Sequence, residues 1–144
     1  MKVVDANVLL AAVNADAANH EVARGWLESA LSGDEAVGFG WTVLLAFLRL
    51  STRRDIFPAP LSVGEAAAVI ERWLAARPAV VVQPTARHLA VLRGHLEPLG
   101  TGGNLVNDGH LATLAVEHGA EIVSFDTDFS RFPGLRWSPP GAGD

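Results

Sequence analysis

The chain has 144 residues, of which 49% are apolar and 19% are charged, a composition that suits one folded domain and argues against extensive disorder. Its formal net charge of −5 argues against broad, non-specific attraction to nucleic acid, although not against chemistry at a local cluster of charge. The absence of cysteine excludes disulfides and thiolate metal sites. The longest apolar run, residues 43–48, is too short to span a bilayer, so we expect a cytoplasmic protein without membrane association.

Short apolar stretches alternate with amphipathic segments along the chain, which is typical of a mostly parallel sheet covered by helices on both faces. The predicted strands are residues 2–5, 36–39, 80–82, 122–125 and a short edge strand at 135–137. The predicted helices begin near Asn7, Asn19, Thr42, Ser62, Thr85 and Asn107. Thr42 and Asn107 are interpreted as helix caps. The pattern predicts a three-layer α/β/α domain over residues 1–137, and the Pro- and Gly-rich residues 138–144 are expected to form a disordered tail.

Four aspartates fall where this architecture brings them to one edge of the sheet. Asp5 and Asp126 follow strands, Asp128 comes two residues later, and Asp108 lies in the first turn of a helix. In parallel α/β sheets, ligands bind beyond the carboxyl ends of the strands. Carboxylates crowded there repel each other by roughly 4 kcal/mol per close pair at an effective dielectric constant of about 20. A divalent metal ion with oxygen ligands is the usual remedy, so the four aspartates predict a metal site.

Each aspartate alone also has an ordinary structural interpretation. Asp5 can be a turn former or a helix cap. Asp108 can complement the dipole of its helix. The sequence Asp126-Thr-Asp128 is common in turns. The combination is what favours a shared site, because three separate segments deliver acids to one edge.

Three short motifs around these acids resemble the PIN-domain ribonucleases. They are Asp5-Ala-Asn7, Asn107-Asp108-Gly-His110 and Ser124-Phe-Asp126-Thr-Asp128-Phe129. The segments 42–52 and 129–137 are similar to the VapC-type toxins of type II toxin–antitoxin pairs. The resemblance extends over roughly residues 1–139 and implies a PIN-like fold.

The resemblance also implies an activity and partners. It implies a toxin that hydrolyses phosphodiester bonds in RNA with Mg²⁺ or Mn²⁺. Asp5, Asp108 and Asp126 match three members of the family's four-acid pattern, and Asp128 matches a position that often assists. The expected partners are an RNA substrate, a second copy of the chain, and a VapB-type antitoxin that blocks the acidic pocket.

One position departs from the family pattern. The second acid of the family is a glutamate in the helix motif, and here that catalytic position is Ala46. We therefore predict a preserved fold with weakened or absent activity. Either the protein is a naturally weakened member, or the glutamate was replaced so that a toxic nuclease could be produced in cells. The otherwise intact flanking motif favours the second explanation.

Four polar residues have two open interpretations each. Asn7 and Thr42 either position water or phosphate, or serve as structural caps. Arg49 and Arg131 either contact the RNA backbone, or are solvated or paired within the protein.

The main alternative is a non-catalytic PIN-like module that binds RNA or an antitoxin without cleaving. A haloacid-dehalogenase-like phosphotransferase is disfavoured because it needs a second aspartate where Asn7 stands. It also needs a mid-chain lysine, and a receiver domain needs a late one, whereas Lys2 is the only lysine in the sequence.

Overall fold

The computed structural model describes residues 1–142, and within them it contains five strands and six α-helices. The strands are β1 (Lys2–Val4), β2 (Val37–Phe39), β3 (Ala79–Val81), β4 (Glu121–Val123) and β5 (Arg136–Ser138). The helices are α1 (Ala6–Val13), α2 (His20–Leu31), α3 (Trp41–Ser51), α4 (Val63–Ala75), α5 (His88–Leu96) and α6 (Leu105–Glu117). Among the described residues, no helix combines the length and apolar character needed to cross a bilayer.

The strands form a parallel sheet in the order β3-β2-β1-β4-β5. The chain moves outward from β1 to β3 and then returns to β4 on the other side of β1. The right-handedness of such crossovers places α1–α4 on one face and α5 and α6 on the other. The observed packing agrees, since α1 contacts α2 and α3, and α5 contacts α6. The predicted three-layer architecture with a parallel sheet is therefore confirmed.

The switch in direction places β1 and β4 side by side at the centre of the sheet. Val3 of β1 lies opposite Ile122 of β4 and Gly38 of β2, and all three are buried. Strands covered on both faces are expected to be mainly apolar, as β1 and β4 are after their first residues, Lys2 and Glu121. The carboxyl ends of these two strands form the crevice in which α/β proteins commonly bind ligands.

The structure does not support the predictions that Thr42 and Asn107 cap their helices. The N-cap of α3 is Gly40, and Thr42 lies inside the first turn. Helix α6 begins at Leu105 after Asn104, so Asn107 also lies within its helix. Neither Gly40 nor Asn104 makes a side-chain capping hydrogen bond. Because the prediction looked for a polar capping side chain, it chose residues two or three positions after the observed N-caps.

The predicted tail overlaps the end of the sheet. Ser138 belongs to β5, and its hydroxyl donates a hydrogen bond to Glu121 of β4. Pro140 is buried. Residues 143–144 of the predicted tail lie outside the described residues, and the domain boundary at residue 137 stays a prediction.

Helix α6 is seated closely on α5 at Gly109, the residue after Asp108. A Cβ atom at Gly109 would lie 2.9 Å from Leu96 Cδ2, whereas one at Gly94 of α5 would meet nothing within 4 Å. Both Ala substitutions remove the helix-destabilising effect of glycine, which is about 1 kcal/mol. We expect Gly109→Ala to be less stable than Gly94→Ala by up to about 1 kcal/mol, since only the former crowds an interface, at leucine methyl groups that can shift. Urea unfolding measures the difference, and equal stabilisation by both substitutions would contradict this packing.

Candidate metal centre

Three aspartates converge at the carboxyl end of β4. Asp108, Asp126 and Asp128 each offer a carboxylate oxygen, and these oxygens lie within 4.8 Å of one another. Asp126 caps the short 3₁₀ helix Thr127–Arg131 by accepting a hydrogen bond from the backbone N–H of Asp128 at 2.8 Å. A single tight turn thus presents two of the acids, and the first turn of α6 presents the third. We call Asp108, Asp126 and Asp128 the acid trio.

Arg131 is the cation beside the trio. Its Nε lies 3.7 Å from Asp128 Oδ1, and both side chains are about half exposed. An exposed pair at this distance is weak, so it offsets only a small part of the repulsion among the acids. Arg131 is therefore paired within the protein, and an RNA contact for it stays a prediction.

Asp5 lies beside the acid trio rather than within it. It is the N-cap of α1, and its Oδ1 accepts a hydrogen bond from the Ala6 N–H at 2.7 Å. Its Oδ2 accepts hydrogen bonds from Ser124 Oγ at 2.7 Å and from Asn7 Nδ2 at 3.3 Å. Three of the four predicted aspartates therefore form the cluster, and Asp5 lies next to it with its oxygens bonded to Ala6, Asn7 and Ser124.

The electrostatics of the site disfavour negative charge. Burial, followed by the charges of Asp126, Asp5 and Asp128, raises the pKa of Asp108 to about 6. Burial also raises the pKa of Asp5, and the charge of Asp126 adds to this effect. Hydrogen bonds from Ser124 and Ala6 act in the opposite direction on Asp5. Such a site is stabilised when a proton or a metal ion neutralises its negative charge.

Ala46 lies in a small pocket with two of the acids. This acidic pocket is lined by Asp5, Ala6, Thr42, Val43, Ala46, Asn107, Asp108 and Leu111. Its volume of about 80 Å³ corresponds to roughly two or three water molecules. A longer acidic side chain at position 46 would enter this pocket, so the position predicted from the helix motif is adjacent to the acids.

Helix α3 presents its polar residues near the acids at helical spacing. Thr42 lines the acidic pocket although it does not cap the helix. Arg49 comes three residues after Ala46, which places both on one face of the helix. Arg49 is exposed, and it makes no ion pair with any residue in the range 1–142.

Ser124 is a residue of the site that was not singled out from the sequence. It is fully buried. Its hydroxyl donates to Asp5 Oδ2 and accepts hydrogen bonds from the backbone N–H of Asp126 at 2.9 Å and from Asn7 Nδ2 at 3.0 Å. One hydroxyl therefore connects the acid after β1 to the acid after β4. The available signal was a serine at the end of a buried strand, since a buried hydroxyl needs hydrogen-bond partners.

Asn7 completes this link between the two strand ends. Its Oδ1 accepts a hydrogen bond from the Phe125 N–H at 3.1 Å, while its Nδ2 reaches Asp5 and Ser124. Both ends of the amide are thus engaged inside the protein. The contacts favour the structural interpretation of Asn7 over direct positioning of phosphate.

The chain offers two buried serines with opposite expected responses to alanine. Ser124→Ala should lower the free energy of unfolding by about 2–3 kcal/mol, because it leaves Asp5, Asn7 and the Asp126 N–H without their shared partner. Ser51 is equally buried, and its Oγ has no hydrogen-bond partner among the described residues. Ser51→Ala should be neutral or stabilising. Urea unfolding of both variants checks this, and equal losses would contradict the proposed role of the Ser124 hydroxyl.

Comparison with known proteins gives a family for this site. The sequence pattern described as the PIN domain matches residues 2–135. Ribonuclease VapC37 of Mycobacterium tuberculosis is 55% identical over 142 residues, covering 99% of each chain. Ribonuclease VapC33 of the same species is 36% identical, covering 97% of this chain and 98% of that protein.

Solved structures share the fold. VapBC2 from Rickettsia felis, bound to a DNA fragment from its promoter, superposes with a TM-score of 0.69 at 20% identity, covering 96% of this chain and 97% of that chain. VapC20 of Mycobacterium tuberculosis, described as a toxin that cleaves the sarcin–ricin loop, gives a TM-score of 0.64 at 23% identity, covering 94% and 99%. At these identities the likeness concerns the fold.

The chain belongs to the PIN-domain family. Its relatives within that family are VapC proteins, so the VapC-type resemblance found in its motifs is confirmed.

Proposed function

We propose that this chain is a metal-dependent endoribonuclease toxin of a toxin–antitoxin pair, weakened by Ala46. The observation that carries the proposal is the acid trio, whose carboxylate oxygens lie within 4.8 Å of one another at the sheet edge. The relatives at 55% and 36% identity are named ribonucleases, which supports the same chemistry here.

The donor set fits a hard divalent cation. Carboxylate oxygens are the ligands that Mg²⁺ and Mn²⁺ prefer. Asp108, Asp126 and Asp128 would hold the ion, and Asp5 would assist from the neighbouring pocket. Burial and, after it, the charges of the neighbouring acids raise the pKa of Asp108 to about 6, and a bound cation would offset both effects, which supports this fit. Such an ion supplies a polarised water near neutral pH and neutralises charge on a phosphate group.

The residues of the chain position the reacting groups. The 3₁₀ turn fixes Asp126 and Asp128 in relation to each other. Ser124 and the Ala6 N–H fix the two carboxylate oxygens of Asp5. Arg49 lies on the same helix face as Ala46, from which it would meet the RNA backbone. At position 46, alanine provides no oxygen to orient the attacking water, and this is the reason for the proposed weakness.

The same site explains the proposed partners. An antitoxin of the VapB type would insert a basic side chain among the acids, because an arginine forms strong hydrogen bonds with carboxylates. Structures with this fold include VapBC complexes, which supports such a partner. A homodimer is proposed on the family resemblance.

Ala46 also favours a second candidate, a non-catalytic PIN-like module that binds RNA or an antitoxin. A cleavage assay on total RNA with Mn²⁺, comparing this chain with the Ala46→Glu variant, separates the two. RNA binding without cleavage by either protein would establish the binding module and refute the nuclease.

A further inference from the structure

A second depression lies next to the acidic site and has no part in the proposed chemistry. Its volume is about 290 Å³, and its walls come from α1, the start of α2, the loop after α3 and the residue before Asp126. The residues that matter for its chemistry are Asn7, Leu10, Asn14, Asn19, Ile56 and Phe125. We call it the α1 pocket.

The α1 pocket lies beside the acids, and two residues of its lining are adjacent to them. Asn7 lines it and also donates a hydrogen bond to Asp5 Oδ2 at 3.3 Å. Phe125 lines it and directly precedes Asp126 in the chain. The Phe125 N–H is bonded to Asn7 Oδ1 at 3.1 Å, so the wall is held rigidly to the site. Asn7 is therefore in contact with Asp5 while it forms part of the wall of the α1 pocket.

The lining combines apolar walls with available amides. Leu10, Ile56 and Phe125 supply apolar surface, and Ile56 is 44% exposed. Asn14 uses its Oδ1 to accept a hydrogen bond from the Asp16 N–H at 3.1 Å. Within residues 1–142 the Asn14 Nδ2 and the Asn19 side chain make no hydrogen bond. Apolar walls with a few unused donors and acceptors match a nucleobase, which has flat faces and polar edges.

The charge of the protein makes such a contact important. With a net charge of −5, the chain has little general attraction for phosphates. On the loop that carries Ile56, the Arg53 charge is offset by an ion pair with Asp55, whereas Arg54 is exposed and makes no ion pair within residues 1–142. Contacts that do not depend on phosphate would add to the affinity that Arg49 and Arg54 supply, and base stacking on aromatic or apolar side chains is the usual one.

We propose that the α1 pocket holds one unstacked nucleobase of the RNA whose phosphodiester bond lies at the acid trio. This rests on the proposed function, because it takes RNA as the substrate. The pocket is then a specificity-determining subsite, since the amides of Asn14 and Asn19 face the polar edge of the base.

The test measures binding rather than cleavage. Fluorescein-labelled single-stranded RNA octamers, one intact and eight with a single abasic nucleotide at successive positions, are titrated with the protein in Ca²⁺. For the unsubstituted chain, removal of one particular base should weaken binding about tenfold. The Ile56→Ala/Asn19→Ala variant should bind intact RNA about tenfold more weakly and lose its sensitivity to that base. Leu89→Ala, which truncates a 76% exposed side chain on α5, should behave like the unsubstituted chain.

The outcomes separate this proposal from the nuclease. Two results would overturn the nucleobase assignment. One is an unchanged affinity of the Ile56→Ala/Asn19→Ala variant for intact RNA. The other is an equal loss of affinity for the abasic RNA in this variant and in the unsubstituted chain. Cleavage is followed separately with Ala46→Glu in Mn²⁺. An absence of cleavage there, combined with base-dependent binding, would refute the nuclease and support the pocket. No affinity for any RNA would overturn both.

Discussion

Replacing Ala46 with glutamate is expected to increase the rate of Mn²⁺-dependent RNA cleavage by about a hundredfold or more. Position 46 lines the acidic pocket together with Asp5 and Asp108, so a longer acid there reaches the space in which water is activated. A positioned acid–base group typically contributes about 10²–10⁴-fold to the rate. Initial rates on total RNA, with and without EDTA, measure the gain.

The neighbouring residue gives a matched control for this substitution. Leu45 is on the same helix but is 56% exposed and does not line the pocket. Leu45→Glu adds the same charge to α3 without placing it near the acids, so it should leave cleavage unchanged. An equal gain from both variants would point to a general charge effect. Equal cleavage by this chain and by Ala46→Glu would contradict the proposed weakness, and cleavage by neither protein would contradict the nuclease.

Replacing Asp108 with asparagine should have opposite effects on stability and activity. Without divalent ions, Asp108→Asn should raise the free energy of unfolding near pH 7 by about 1 kcal/mol, a value reduced for the partial exposure of the side chain. The pKa of Asp108 is about 6 in the folded protein and 3.8 ordinarily, so its folded form holds a proton more tightly. Its stabilising contribution is complete below about pH 4 and is lost as the pH rises through about 6.

The measurement is the difference in stability between the two proteins across this pH range. The difference in the free energy of unfolding, in favour of Asp108→Asn, should grow between about pH 4 and pH 7. Only the unsubstituted chain must ionise the Asp108 carboxyl in the folded state. Asp34→Asn alters an exposed aspartate paired with Arg77 and should show no such growth. In the Ala46→Glu background, Asp108→Asn should abolish cleavage. A variant that is less stable at pH 7 would contradict the repulsion described for the site.

The position of the site was predictable because it depends on strand ends. The apolar stretches of β1 and β4 are easy to recognise, and a parallel sheet brings their carboxyl ends to one edge. That reasoning placed Asp5 and Asp126 near each other without coordinates. The motif around residue 46 likewise pointed to a position that does line the acidic pocket.

The finer geometry was not predictable, because it depends on individual hydrogen bonds. The two carboxylate oxygens of Asp5 are oriented by the Ala6 N–H and the Ser124 hydroxyl. A sequence pattern does not specify which oxygen of a carboxylate meets which donor. The helix starts were misplaced for a similar reason, since Gly40 and Asn104 begin their helices without side-chain capping bonds.

The hydrogen bond between Asp5 and Ser124 joins residues that are 119 positions apart. Segments far apart in the sequence therefore meet at this edge of the sheet, and β4 must pair with β1 before Ser124 and Asp126 come near Asp5. A polypeptide that has emerged from the ribosome only as far as β3 therefore lacks this arrangement.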